Sequence, residues 1–393
     1  MAKYADEESC SLTYSLDPTQ VEKLERTPSH RQYQPESLLL RDWTTLGVGG
    51  PVNNLVRAET EAEIIQTVKA ADAAGTAVMM LGGGSNIVAT DTGFSGVVIR
   101  DMRSEIKLTH DSACGGISFT ATAGVAWDEL VATAVERQWG GGLEALSGIP
   151  GTVGAAPMQN IGAYGQEVAD SIASVRVYDR LLQRTKTIFA SDLEAGYRTS
   201  IFKRSVTDPN LSNGRLWGPS GRWIILSVEF ATRSASLSAP IAYQELADKL
   251  GVTLGERLDV RAVRDAVLEL RRSKSMVLDD TNRNTYSAGS FFTNPILSAQ
   301  IADSLPAEAP RFQVADQVKT SAAWLISQAG FTKGFKVRPE SGAALSTAHV
   351  LAITNQGNAS AADIFELATV VKQGVKEKFG IELIPEPVFV NAE

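Results

Sequence analysis

Three observations predict an α+β chain of two or three domains. The 393 residues exceed one ordinary core, because domains commonly run to roughly 100–200 residues. Strand and helix signals alternate without an even repeat, which favours α+β over a doubly wound parallel sheet. Hydrophobic residues make up 44% and charged residues 21%, close to the globular average, and no apolar run reaches the roughly 20 residues of a membrane span. A membrane-spanning or wholly disordered chain is excluded.

Residues 1–36 are polar, rich in Glu, Ser and Gln, and broken by Pro18, Pro28 and Pro35; without periodicity they read as a flexible extension. The folded chain opens at Trp43-Thr-Thr-Leu-Gly-Val-Gly-Gly-Pro51 and continues in a short strand, Asn54–Arg57. Thr60 followed by Glu63 is a capping box, which starts a helix with Ile64, Val68 and Ala71 on one face and Gly75 as its left-handed end. A strand over Ala77–Leu81 runs into a glycine cluster. Next come a strand at Ser118–Thr122 and a helix after Trp127, with Leu130, Ala134 and Val135 inward and Gly140–Gly142 as its stop. Strands at Val175–Tyr178, Arg184–Ile188 and Ile224–Phe230 suggest a mainly antiparallel sheet. The change of composition at Arg233-Ser-Ala-Ser-Leu-Ser238 marks an expected domain boundary. Beyond it lie helices over Asp259–Arg272 and Ser321–Ala329, a strand over Ala344–Thr354, a long helix from Ser360 to Phe379, and a terminal strand over Glu382–Val390. Ser360 with Asp363 caps the long helix and Gly380 closes it.

Lys and Arg number 37 against 45 Asp and Glu, a net charge of −8, so no global field draws the chain to nucleic acid or anionic membrane. An anionic ligand must be met by local groups. Cys10 and Cys114 cannot build a disulfide framework or a CxxC site, and the acidic start MAKYADEESC has no apolar core of a signal peptide. A cytoplasmic chain is expected. His30, His110 and His349 are scattered without metal-ligand spacing, so no metal site is expected.

Two glycine-rich stretches carry the chemistry. Leu81-Gly-Gly-Gly-Ser-Asn-Ile87 leaves an apolar strand with successive N–H groups unobstructed by side chains, the makings of a phosphate-binding nest. It is neither a Walker A loop, lacking Lys-Ser/Thr, nor a GxGxxG fingerprint, since Ile87 stands at the third glycine position. Ser147–Gly165 holds five glycines and two prolines among small residues, a composition that lets backbone pack against a flat ligand or, as plainly, cover a sheet edge.

The order of these residues resembles the UDP-N-acetylenolpyruvoylglucosamine reductase (MurB) family, type I. The resemblance rests on Thr45–Pro51 with Leu81–Ile87, the Ser147–Gly165 stretch, Tyr197-Arg-Thr-Ser-Ile-Phe202, Ala288-Gly-Ser-Phe-Phe-Thr-Asn-Pro295, and Ile384-Pro-Glu386. It implies an FAD-binding part of the vanillyl-alcohol-oxidase (PCMH) type in two subdomains, 37–105 and 106–232, and an α+β substrate-binding domain, 233–393, after the 1–36 extension. It further implies reduction of UDP-N-acetylglucosamine enolpyruvate to UDP-N-acetylmuramate by NADPH through bound FAD, in peptidoglycan precursor synthesis. A monomer acting on this small molecule is expected, with no nucleic-acid or membrane partner.

Carried over residue by residue, the resemblance assigns Gly82, Gly83, Gly84, Ser85, Asn86 and Ile87 to the FAD diphosphate. Ile149, Pro150, Gly151, Gly154, Ala155, Asn160, Gly162, Ala163, Tyr164 and Gly165 would line the cofactor. Arg198, by itself a solvated loop arginine, would hold the developing enolate of the substrate carboxylate, to which a guanidinium fork is matched. Ser290 lies in no GxSxG elbow, so it is no activated nucleophile; the resemblance makes it the general acid that protonates the substrate carbon. Glu386, fixed between Pro385 and Pro387, is the third catalytic candidate. Tyr243, Lys274, Asn294, Lys333 and His349 match substrate-binding positions, with Lys274 placed less tightly because the connection to Ser290 is long. Two rivals stay open, an FAD-dependent sugar or alcohol oxidase of the same fold and a non-catalytic UDP-sugar-binding protein.

Overall fold

The computed structural model describes residues 23–32, 36–112, 116–139, 141–233 and 236–391. The chain forms two compact units built from interleaved segments. The first joins residues 23–29 with Arg57–Gly75 and Arg100–Leu270; the second joins His30–Val56, Thr76–Ile99 and Arg271–Glu393, within the described residues.

The first unit is built on a five-stranded antiparallel sheet in the order Arg184–Phe189, Ile172–Asp179, Trp223–Thr232, Gly116–Thr122, Ile106–Ser112. Period-two alternation makes the third and fourth strands stick: Ile117, Phe119 and Ala121 point inward, and Phe119 stacks on its register partner Phe230 with centroids 5.2 Å apart. Each such buried ring contributes about 1.5–3 kcal/mol. The helix Trp127–Glu136 buries Leu130, Ala134 and Val135 in the same core. Helix Glu61–Ala73 starts at the Thr60/Glu63 capping box, buries Ile64, Val68 and Ala71, and is followed by Gly75 at φ +66°. A smaller cluster of Ile241, Leu246, Ala247, Val263 and Val267 joins the helices Gln244–Leu250 and Val260–Ser273.

The second unit is organised around the helix Ala361–Phe379. Ile364, Leu367, Ala368, Val371 and Val375 recur at helical spacing and share one cluster with Phe291, Leu325, Ile326, Leu345, Ile353 and Leu383. Leu46, Val48 and Val88 belong to the same cluster, which ties early segments into the C-terminal core. A three-stranded sheet runs Val52–Ala58, Phe94–Asp101, Val78–Met80, its last pair parallel. Val388–Val390 lies parallel to Ile87–Ala89, so the end of the chain pairs directly after the glycine cluster.

Several expectations are corrected. Ala344–Thr354 is not one strand but a hairpin of Ala343–Leu345 and Ile353–Asn355; the Ser346 hydroxyl accepts from the N–H groups of Ala348 and His349 and bends the chain there. His349 therefore stands in a turn. The terminal strand is only Val388–Val390, since Pro385 and Pro387 have no N–H for a ladder. Of the expected flexible extension, residues 1–22 and 33–35 lie outside the described residues, but Thr27, Ser29 and Arg31 are buried and hydrogen-bonded partners hold this segment. The units do not divide at 233–238 either. Leu237 bridges to Asp259 and the N–H of Ala239 donates to buried Glu144 at 2.9 Å, which keeps the chain in the first unit up to Leu270.

Candidate active site

In the second unit, the strand Val78–Met80 ends with Leu81, whose N–H still donates to Ile99 at 2.9 Å. The next three N–H groups, of Gly82, Gly83 and Gly84, have no hydrogen-bond partner among the described residues, although Gly83 and Gly84 are buried. Gly84 takes φ +64°, and a Cβ there would come 2.0 Å from the Trp43 carbonyl oxygen, so no other residue fits. Its own carbonyl accepts from the Thr45 N–H at 3.0 Å. Three successive N–H donors without an internal partner, on residues with no side chain in the way, suit the diphosphate of a dinucleotide such as FAD.

The same unit brings three candidates together by backbone. The Glu386 N–H donates to the Phe291 carbonyl at 2.9 Å, one residue beyond half-buried Ser290, and Phe292 bridges to Pro385. Asn86 is bound into this pairing, its carbonyl accepting from Val388 N–H at 2.9 Å and its Nδ2 lying 3.4 Å from the Glu386 carbonyl. Thus the glycine cluster, Ser290 and Glu386 are adjacent segments. Lys333, exposed, is on a loop whose Gly334 N–H donates to Leu345 at 3.1 Å, at the base of the turn that carries His349. Asn294 uses Oδ1 to accept from the Ala322 N–H at 3.0 Å, capping the helix Ala322–Gln328. Lys274 follows the helix Val260–Ser273 on a separate turn, its N–H donating to Arg271 at 3.2 Å.

In the first unit, the Ile149–Gly165 stretch is stitched down by backbone. Gly151 accepts from Trp127 N–H at 3.0 Å, and the N–H groups of Val153 and Gly154 donate to Val125 and Ala123 at 2.9 Å each. A Cβ on Gly154 would meet the Ala123 Cβ at 2.6 Å, so this close approach requires glycine. Asn160 is fully buried and committed internally: Nδ2 donates to Glu167 at 2.6 Å and to the Gly196 carbonyl at 3.1 Å, and Oδ1 accepts from Ala169 N–H at 3.0 Å. Its side chain is thus taken up within the fold. Ile149, Pro150, Gly162, Ala163 and Tyr164 are partly exposed and Ala155 and Gly165 exposed, whereas Gly151 is buried.

Arg198 is half-buried, sits at φ +55°, and donates from Nη2 to the Gly162 carbonyl at 2.9 Å. Tyr164 meets Tyr243 edge-on, centroids 5.8 Å apart at 84°. The arginine and the tyrosine therefore both abut the glycine-rich stretch. Burial, with a smaller effect of Glu245, pushes the Tyr243 hydroxyl above its ordinary value, so it remains a donor at neutral pH.

Sequence reasoning missed the residues that hold these parts. Thr45 joins the glycine cluster to the Ser290 segment, through its N–H to Gly84 and its hydroxyl to the Ser287 carbonyl at 2.7 Å. Its place at the head of the Thr45–Pro51 block is the one sign of it in the sequence. Lys203 donates from Nζ to the Arg198 carbonyl at 3.1 Å, one turn along from the arginine it steadies. Asp128 and Arg264, 136 positions apart, form a buried pair that no local pattern announces.

Residues 52–181 match the family model described as an FAD binding domain, and residues 280–390 match the C-terminal domain of UDP-N-acetylenolpyruvoylglucosamine reductase. The UDP-N-acetylenolpyruvoylglucosamine reductase of Cutibacterium acnes is 46% identical over 357 residues, covering 91% of this chain and 90% of its own. That of Thermobifida fusca is 45% identical over 364 residues, covering 90% and 96%. Among solved structures, UDP-N-acetylenolpyruvylglucosamine reductase (MurB) from Thermus caldophilus superposes with a TM-score of 0.57 at 25% identity, covering 90% of this chain and 97% of that one.

Proposed function

The chain belongs to the UDP-N-acetylenolpyruvoylglucosamine reductase family, and from that premise we propose how its side chains divide the reaction. It is an FAD-dependent oxidoreductase that reduces UDP-N-acetylglucosamine enolpyruvate to UDP-N-acetylmuramate in peptidoglycan synthesis, an FAD-binding domain of the PCMH type being joined to the family's C-terminal domain. In this reading NADPH is the reductant and the chain acts in the cytoplasm as a monomer, with a UDP-sugar as its only partner.

The flavin, when bound, supplies hydride transfer, for which the protein has no side chain. The remaining tasks fall to the chain. The N–H groups of Gly82–Gly84, with Ser85, Asn86 and Ile87, hold the cofactor's diphosphate, and Ile149–Gly165 line it. When hydride adds to the terminal vinyl carbon, negative charge develops on the adjacent carbon and its carboxylate. The Arg198 fork holds that carboxylate and stabilises the enolate. Ser290 then gives its hydroxyl proton to the carbon, a base strong enough to take it without further activation of the serine. Glu386, on the segment paired to that of Ser290, is the second proton-transfer group. Tyr243, Lys274, Asn294, Lys333 and His349 bind the UDP-sugar.

The observation that carries this reading is the backbone bond from Glu386 to Phe291, with Asn86 against the Glu386 carbonyl, because it sets hydroxyl, carboxyl and diphosphate loop on adjoining segments. Anaerobic rapid mixing tests it. NADPH should bleach the flavin and the enolpyruvyl sugar should restore its colour. Reoxidation by oxygen faster than by the sugar would indicate an oxidase, and a flavin that NADPH does not bleach would indicate a binding protein.

A further inference from the structure

Residues 24–29 lie across the helix Trp127–Glu136 in the first unit. Leu24 packs against the main core, and its N–H donates to the Glu136 carboxylate. Arg26 bonds Glu129 at 3.0 Å and also pairs with Glu136. The Thr27 N–H donates to Asp128 Oδ2 at 2.7 Å, and the Ser29 carbonyl accepts from the Gly151 N–H at 2.8 Å. Asp128 itself is fully buried against Arg264, both of its oxygens at 2.8 Å from the guanidinium, and Oδ1 also accepts from the Gly148 N–H at 2.8 Å. Arg264 closes the circuit by donating to the Glu25 carbonyl at 2.7 Å. Burial alone would raise the Asp128 carboxyl, but Arg264 and the N–H groups of Thr27 and Gly148 hold it below its ordinary value.

Removing one partner from such a buried pair is costly, so the arrangement is rigid. Gly148 and Gly151, buried at φ +71° and +126° at the entry of the glycine-rich stretch, are each held by this assembly. We propose that residues 24–29 and the Asp128–Arg264 pair form a buckle that sets the entry of the FAD-lining stretch, making Arg26, Asp128 and Arg264 positioning residues for cofactor binding. The inference rests on the reading that this stretch lines FAD.

Full-length holoenzyme carrying Asp128→Asn, Arg26→Ala or Arg26→Lys tests it. Asparagine has one carbonyl oxygen, so it can accept from Gly148 or from Thr27 but not from both as the carboxylate does. FAD release on dilution, followed by flavin fluorescence, should speed up by at least about tenfold in Asp128→Asn, because that variant loses one N–H acceptor and also leaves the buried Arg264 guanidinium without its counter-charge. Arg26→Ala should release FAD faster than wild type, and Arg26→Lys should recover most of the difference. Hydrogen exchange should rise in the peptide covering 147–154 and stay unchanged over 82–86. Unchanged FAD release in both Asp128→Asn and Arg26→Ala, or exchange that rises equally in both peptides, overturns the buckle. If wild-type exchange over 147–165 is the same before and after FAD is released, the stretch does not line the cofactor, and the site reading falls together with the inference.

Discussion

At Ser290 a hydroxyl is assigned to one proton transfer in a two-part reaction, which makes its variant diagnostic. Ser290→Ala should bleach its flavin with NADPH at near the normal rate, because that half-reaction needs no donor to carbon. Reoxidation by the enolpyruvyl sugar should fall roughly 10²–10⁴-fold, the range for a positioned acid. Stopped-flow absorbance separates the two, and a slowed bleaching step would move the serine to the cofactor side. Tyr243→Phe and Lys333→Ala should weaken sugar binding more than flavin reduction; for Lys333, one charge-assisted contact is worth about 1.5–3 kcal/mol. Isothermal titration with the substrate checks this, and unchanged affinity in both would remove them from the site. Gly84→Ala belongs to the same scale but acts through the fold, since the Trp43 oxygen stands 2.0 Å from the new carbon. It should lower the urea midpoint by the equivalent of about 1–3 kcal/mol. The residue types of these sites were legible in the sequence; the commitment of Asn160 to Glu167 and Ala169, and of Asn294 to a helix cap, was not, because their partners depend on loop conformations that spacing does not encode.

Elements whose ends are chemically marked came out where the sequence placed them. The Ser360 hydroxyl accepts from the Asp363 N–H at 3.1 Å, Asp363 answers to the Ser360 N–H at 3.0 Å, and Gly380 closes the helix at φ +68°. Ser360→Ala should cost about 1 kcal/mol, readable as a fall in the urea midpoint with unchanged slope. Where marks were ambiguous, the reading failed. Ala344–Thr354 is apolar enough for a strand, yet Ser346 turns the chain back on itself, and side-chain-to-backbone bonding of that kind competes with a ladder only in its tertiary setting.

For the whole molecule, buried carboxylates set opposing acid and base limits. Burial would raise Asp179, but the Arg222 guanidinium at 2.7 and 2.9 Å, together with Leu182 and Trp223, holds it below its ordinary value, as Arg264 does for Asp128. The folded state therefore binds fewer protons than the unfolded chain near pH 4, and this stabilisation is present above about pH 3.9 and lost as pH falls through the lower folded values. Glu144 has the opposite sign. Burial raises it despite N–H bonds from Gly142 and Ala239, so its contribution is present below about pH 4.3 and lost as pH rises through the raised value. Asp128 and Asp179 should therefore make the urea midpoint fall toward acid, and Glu144 should make it decline as pH rises through its raised value. In Glu144→Gln the alkaline-side decline should flatten while the acid limb remains; an unaltered decline would exclude Glu144 as its source.

Readable along the chain alone were the elements with local signatures, the glycines that end helices, and, through blocks in a fixed order, the family and its cofactor; that Gly84 and Gly154 admit no other residue came from the fold. The readable features reside in a few neighbouring residues, where capping, periodicity and backbone freedom act. It took the folded chain to show that Leu46, Val48 and Val88 enter the core of the C-terminal segment, that Thr45 links the loops of Gly84 and Ser287, and that residues 24–29 are held on the helix Trp127–Glu136. The physical reason is that burial and hydrogen bonding between distant segments depend on where the chain returns. A polar, proline-broken segment such as 23–32 looks like solvent-exposed chain until the carboxylates and carbonyls that receive it are in place.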